Sequence, residues 1–217
     1  MKWIAACRLA TPLALMAMLA ACGSEQAAAP PDQPGATAAS ELPVVGKEMR
    51  IVALGDSLFA GYGVEPGQSY PSRIEAALRA RGINAKMTNA GVSGDTTAGG
   101  LGRVDFVLGS MEQPPQLVLI SLGGNDMLRG LPPEETRKNL AAILGKLKER
   151  KIPMVLMGML APPNLGADYA AKFNPIYPAL AKEYGAALVP FFLQPVVGRP
   201  DLIQADRIHP TAEGIDL

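Results

Sequence analysis

The 217-residue sequence has a single histidine and two cysteines. A metal centre built on imidazole and thiolate needs several such ligands, so a metallohydrolase here would rest almost wholly on carboxylates. Aromatic residues are also scarce, with one Trp, five Tyr and five Phe, which leaves little surface for stacking sugar rings or bases. An excess of charge of either sign is missing too. Twenty Lys and Arg offset twenty Asp and Glu, and no basic run interleaved with aromatics marks a nucleic-acid surface, so nucleic acid is not an expected partner. No G-x-x-x-x-G-K-[ST] or G-x-G-x-x-G follows an apolar run, which removes the usual phosphate-cradling loops of nucleotide and flavin proteins. No cofactor and no metal are expected.

The two cysteines have a distinct place. Lys2 and Arg8 precede an apolar segment, Leu9 to Ala21, too short for a comfortable bilayer span and in keeping with a signal peptide over residues 1–21. It ends in "LAAC", small residues leading into Cys22, and this resembles the lipoprotein cleavage box of bacteria. Cys7 would leave with the signal, so the mature chain has no internal disulfide and Cys22 is free to carry a lipid. The expected location is the periplasmic side of a membrane, the outer one where two are present, since Gly23 follows the cysteine. From Cys22 through Gly46 the chain is rich in Ala, Pro, Ser and Gln. Such a segment buries too little apolar surface to offset its ordering entropy, so it reads as a tether of r.m.s. span about 25–30 Å.

Residues 47–217 read as one domain. Apolar runs at Arg50–Gly55, Ala85–Gly91, Gln116–Gly123, Pro153–Leu160 and Ala186–Pro190 suggest five strands, several apolar at nearly every position, as parallel strands covered on both faces require. Between them lie helical patterns at Tyr70–Arg81, Thr97–Leu108, Pro133–Lys151 and Ala167–Tyr184. In the third, Leu140, Ile143, Leu144 and Leu147 share one face, with Glu134 and Glu135 at the start and Lys148, Arg150 and Lys151 at the end. The βα alternation predicts a doubly wound α/β sheet, with chemistry on the loops after the strands.

Three of those loops are unusually polar. In "GDSLFAGYG" Gly55 permits a tight departure from the strand, and Ser57 can present its hydroxyl above the sheet. Asp56 or Ser57 equally suits the cap of a following helix. The G-x-S-x-G elbow is absent, because Phe59 stands two residues after Ser57 and Asp95 two after Ser93. If a histidine activates Ser57, it is His209, the chain's only one. In "DRIHP" Asp206 lies three residues earlier, close enough on a turn to accept Nδ1–H and leave Nε2 facing the serine. For the oxyanion, "NAGVSGDT" offers the Gly91 N–H and "GGND" the Asn125 amide, though each also suits a plain turn or cap.

"GDSL", "NAGVSGDT", "LGGNDMLRG" and "DRIHP" stand in the order and approximate spacing of the GDSL, or SGNH, hydrolases, and the chain from Arg50 onward resembles their arylesterase and thioesterase/lysophospholipase branch. The resemblance implies a flavodoxin-like three-layer α/β/α fold with a parallel five-stranded sheet and neither cofactor nor metal. It implies Ser57 as nucleophile with Asp206 and His209, and the Ser57 N–H, Gly91 N–H and Asn125 amide as oxyanion hole. It also implies a loop at Met127–Pro132 that moves over the acyl group. Family members usually continue through a longer final helix, so a shortened C-terminal helix is expected here.

The function so read is a lipid-anchored serine esterase acting on short- to medium-chain acyl esters, with thioesters or lysophospholipids as related substrates. Its activity would fall in acid as the imidazole protonates, ordinarily between about pH 5 and 8. Two alternatives stand beside it: a carbohydrate O-deacetylase, and a non-catalytic tethered binding module of the same fold.

Overall fold

The computed structural model describes residues 43–217; the expected signal, Cys22 and nearly all of the tether lie outside the described residues. Strand β1 (Val45–Gly55) opens two residues ahead of the expected boundary at residue 47 and carries an irregularity between Val45 and Met49. It is followed by β2 (Ile83–Gly91), β3 (Leu117–Ser121), β4 (Met154–Met157) and β5 (Ala187–Val189). All neighbours pair in parallel, in the order β2-β1-β3-β4-β5.

This order reverses between β1 and β3, so the loops leaving those two strands diverge to opposite faces and open a crevice at their carboxyl ends. Burial explains why β1 and β3 are central. Ile51, Val52, Ala53 and Leu54 are at most 1% exposed, and Val118 and Ile120 are fully buried. Strand β2, at an edge, buries only Ala85, its other positions being half-buried or exposed.

Helices α1 (Ser57–Ala60), α2 (Tyr70–Ala80), α3 (Thr97–Gly109), α4 (Gly124–Leu128), α5 (Pro133–Glu149), α6 (Ala167–Phe173), α7 (Ile176–Tyr184) and α8 (Ala212–Ile215) complete the sandwich. Helices α3, α5 and α7 pack side by side, whereas α2 packs against β2 and is tied to the C-terminal segment by the Arg73–Asp216 ion pair at 3.0 Å. In α5 Leu140, Ile143, Leu144 and Leu147 are fully buried, worth about 6–12 kcal/mol together as an upper figure.

The expected single helix over Ala167–Tyr184 is in fact two, α6 and α7. Pro175 has no N–H for the ladder, and its ring crowds the preceding turn. The break also has a use: the Asn174 side chain accepts the Ala161 N–H at 2.8 Å and so fastens the chain after β4.

Candidate active site

At the end of β1 the chain turns sharply into α1. Asp56 caps that helix, its Oδ1 accepting the Leu58 N–H at 3.1 Å, and its own N–H donates to Ser121 O at 3.1 Å. Phe59 is fully buried and lies against Gly55, where a Cβ would stand 2.7 Å from the ring. Only glycine lets the aromatic ring drop this close to the strand. With Phe59 pointing inward, Ser57 lines the cleft above the sheet.

The partner loop comes from the far end of the sequence. An antiparallel bridge, Ile203 to Pro210, closes it, and Gln204 binds it to the loop after α1 by donating from Nε2 to Tyr62 O at 2.9 Å and to Pro210 O at 2.8 Å. Within it Asp206 Oδ1 accepts the N–H groups of Ile208 (2.9 Å) and His209 (3.1 Å), while Oδ2 stands 2.6 Å from His209 Nδ1. His209 Nε2 lies 2.7 Å from Ser57 Oγ, and the Tyr62 ring sits at 4.6 Å between centroids.

Burial alone would raise the Asp206 carboxyl. The hydrogen bonds from the His209 ring and from the Ile208 and His209 N–H groups outweigh it and hold the group down at about 2. A carboxylate has no proton to give, so Nδ1 carries the ring proton and Nε2 presents a lone pair to the serine hydroxyl. The line Ser57–His209–Asp206 can therefore move a proton off Ser57 as it attacks an electrophile.

The oxyanion donors require a correction. The Gly91 N–H donates to Asn89 Oδ1 at 2.9 Å, and a Cβ on Gly91 would collide with the backbone nitrogen of Ala60. Its glycine serves the close approach of α1 to β2, and its N–H is already taken. Three residues on, Gly94 has φ +83° and an N–H that meets no acceptor among the described residues. Its carbonyl accepts Arg129 Nη2 at 2.7 Å, and the next carbonyl, Asp95 O, accepts Asn125 Nδ2 at 2.9 Å. The Gly94 turn and Asn125 are thus joined directly. The signal available in the sequence was the glycine within "SGD", a residue free to take a positive φ.

Asn125 is the second residue of α4, which follows Gly123 at φ +109°. Its Nδ2 also stands 3.5 Å from Asp56 Oδ2. Asp56 is 2% exposed, and burial pushes its carboxyl up to about 6 against the lowering pull of the Leu58 N–H and of His209.

Two supporting groups were not legible beforehand. Arg103, on α3, donates from Nε to Asp95 Oδ2 at 2.6 Å, from Nη1 to Ala90 O at 2.7 Å and from Nη2 to Gly55 O at 2.8 Å. One guanidinium therefore holds the ends of β1 and β2 and the Gly94 turn together. Asp126, 1% exposed, accepts from the N–H and hydroxyl of Thr97 (2.8 and 2.5 Å) and, at 3.4 Å, from the hydroxyl of Thr136. It fastens α4 to α3 and α5.

Ser57 and His209 lie in a cleft of about 830 Å³ whose walls include Leu58, Met127, Leu128, Met159, Leu160 and Phe191. That surface suits an acyl chain rather than a sugar. Among the described residues no three His, Cys, Asp or Glu side chains converge as a metal site.

A family model described as GDSL-like Lipase/Acylhydrolase matches residues 53–217. Esterase TesA of Pseudomonas aeruginosa is 40% identical over 160 residues, 74% of this chain and 79% of that protein. An arylesterase of Vibrio mimicus is 40% identical over 164 residues, 76% of this chain and 81% of that protein. Among solved structures, AlinE4, an esterase of the SGNH-hydrolase family, superposes with a TM-score of 0.74 at 60% identity, covering 79% of this chain and 91% of its own. With the match spanning most of the domain and relatives this similar, the chain belongs to the GDSL-like lipase/acylhydrolase family.

Proposed function

We propose that the chain is a serine esterase that hydrolyses short- to medium-chain acyl esters through an acyl-enzyme on Ser57. The observation that carries this reading is the unbroken hydrogen-bond line from Ser57 Oγ through His209 to Asp206, set at the side of an apolar cleft.

In the first step Ser57 Oγ attacks the ester carbon and its proton passes to His209 Nε2. Asp206 stays ionised and holds the imidazolium that forms. The tetrahedral oxyanion is received by the Ser57 N–H, the Gly94 N–H and the Asn125 amide, and a single good donor of this kind is worth about 2.7–4 kcal/mol. His209 then protonates the departing alcohol, and a water activated by the same imidazole releases the acid. The apolar wall of Met127, Leu128 and Met159 receives the acyl chain.

The test compares 4-nitrophenyl acetate, butyrate and decanoate with the chain and its Ser57→Ala variant. Turnover by the chain and loss of at least about 10³-fold in the variant is the expected result. Equal rates in both would sink the reading. We also propose that the domain is exported and held to a membrane by a lipid on Cys22, a reading supported by the "LAAC" box and the Ala/Pro-rich stretch after it. Mass spectrometry of the N-terminal peptide tests this, and an unmodified Cys22 in membrane fractions refutes it.

A further inference from the structure

Two cations that the esterase mechanism does not use line the cleft, Arg199 and Arg207, and of the two only Arg207 stands without an acidic partner among the described residues. Arg207 sits between Asp206 and His209 and lines the same cleft as Ser57. Its backbone lies at φ +62°, in the left-handed region that an arginine adopts at a cost and a glycine without one. The only other non-glycine residue with positive φ among the described residues is Lys151, two positions past the end of α5, where such a conformation is ordinary. Arg207 ends no helix. A strained backbone beside an active site is ground for asking what its side chain does.

The charges around it narrow the answer. Arg199 also lines the cleft, but its Nε and Nη2 are occupied by the two carboxylate oxygens of Asp201 at 3.3 and 2.9 Å. The Asp206 carboxylate is taken up by His209 and by two backbone N–H groups, and Asp56 is buried at the base of the cleft against Leu58 and Asn125. Among the described residues no carboxylate lies within ion-pair distance of the Arg207 guanidinium, and no hydrogen bond engages it. The chain therefore keeps an exposed fork of five donors, always charged, lining a largely apolar cleft and adjacent in sequence to Asp206 of the proton relay.

Building on the esterase reading, we propose that Arg207 is a specificity-determining residue that receives an anionic group, a carboxylate or phosphate, on the ester substrate. The preferred substrates are then amphiphilic: an apolar portion lies along Met127 and Met159 while the charged portion meets the guanidinium. A planar fork suits either anion in a two-pronged contact. The anion can belong to the acyl half or to the alcohol half, and the two are separable by substrate.

Two matched pairs make the test. Mono-4-nitrophenyl glutarate against 4-nitrophenyl valerate places the charge on the acyl side; the butyrate ester of 4-hydroxybenzoate against that of methyl 4-hydroxybenzoate places it on the alcohol side. The readout is the ratio of kcat/KM, charged over neutral, for the chain and for Arg207→Gln, Arg207→Gly and Arg207→Lys. The expected result is a five- to tenfold fall of the ratio in at least one pair for Gln and Gly, carried by KM, with a smaller fall for Lys and a loss of the wild-type preference in 0.5 M salt. Arg207→Gly should unfold at an unchanged or slightly higher temperature, because it relieves the backbone. Ratios within twofold of wild type in both pairs overturn the proposal. Titration of phenyl phosphate into the Ser57→Ala protein, with and without Arg207→Gln, reads the same contact without turnover. Absent hydrolysis of all four esters would thus count against Ser57, while weaker or equal phosphate binding still decides on Arg207.

Discussion

Replacing Arg103 tests how the three catalytic loops are held. Its guanidinium makes three charged hydrogen bonds, to Asp95, Ala90 and Gly55, and both members of the Arg103–Asp95 pair are less than a fifth exposed. Arg103→Lys keeps a charge for Asp95 but cannot also reach two carbonyls at separate strand ends. Each lost charged bond is worth about 1.5–3 kcal/mol, and water can replace part of it at this partly open position, so a net cost of about 2–3 kcal/mol is expected. For a domain of this size that is about 5–10 °C in unfolding temperature. Arg103→Met goes further and leaves a half-buried Asp95 without its partner, at about 3 kcal/mol once water access is allowed for.

The catalytic effect is separate. The same arginine keeps the Gly94 turn, Asn125 through Asp95 O, and the Gly55 end of β1 in one geometry. A slip of about 1 Å in such a set costs on the order of 100-fold. On 4-nitrophenyl butyrate the Lys variant should lose about 10- to 100-fold in kcat with KM within about threefold, assayed well below its unfolding temperature. A variant that unfolds earlier but keeps kcat within threefold would refute the positioning argument and leave Arg103 a purely structural residue.

Asp206→Asn keeps the acceptor for the Ile208 and His209 N–H groups but turns an amide towards Nδ1, favouring the tautomer that donates from Nε2; kcat should fall about 10³- to 10⁴-fold with little change in unfolding temperature, and a loss under tenfold would contradict the relay. Asp56 gives a pH signature. Its folded pKa is raised from 3.8 to about 6, so its contribution is fully present below 3.8 and is lost as pH rises through about 6, amounting to about 3 kcal/mol. Urea unfolding from pH 4 to 7 should show that decline and Asp56→Asn should flatten it, whereas Asp206, lowered to about 2, acts only in stronger acid and with the opposite sign. Gly91→Ala should cost about 1–3 kcal/mol or more by driving Cβ into α1, while Gly94→Ala, strained by about 1–2 kcal/mol at φ +83°, should add a fall in kcat that Gly91→Ala lacks once both are assayed well below their unfolding temperatures; equal kcat losses in the two would contradict the assignment of Gly94 to the oxyanion.

The strands and most helices were legible because each obeys a local rule. Four buried residues at helical spacing on α5, and runs apolar on both faces at β1 and β3, carry their structure in their periodicity. The break at Asn174–Pro175 was legible in principle, since proline there removes a ladder bond, but the amphipathic pattern runs across it. Asp56 and Ser57 fit both readings open at the outset: the aspartate caps α1 and the serine faces His209. Gly91 marks where local reading ends. A glycine at a strand end announces that something comes close, and only the folded chain reveals that it is Ala60 rather than a ligand. Arg103 could not be assigned for the same reason, because Gly55, 48 positions away, becomes its neighbour only in the assembled sheet.

The parallel sheet also gives the domain two poles. All five strands run the same way, so β1 begins with Val45 at one end and delivers Gly55, and then Ser57, at the other. Eleven residues of strand separate the two by about 33 Å. A chromatography bead coupled just ahead of Val45 grips the domain at the pole remote from the cleft. Immobilised through that side, the protein would offer its catalytic face to the surrounding solution.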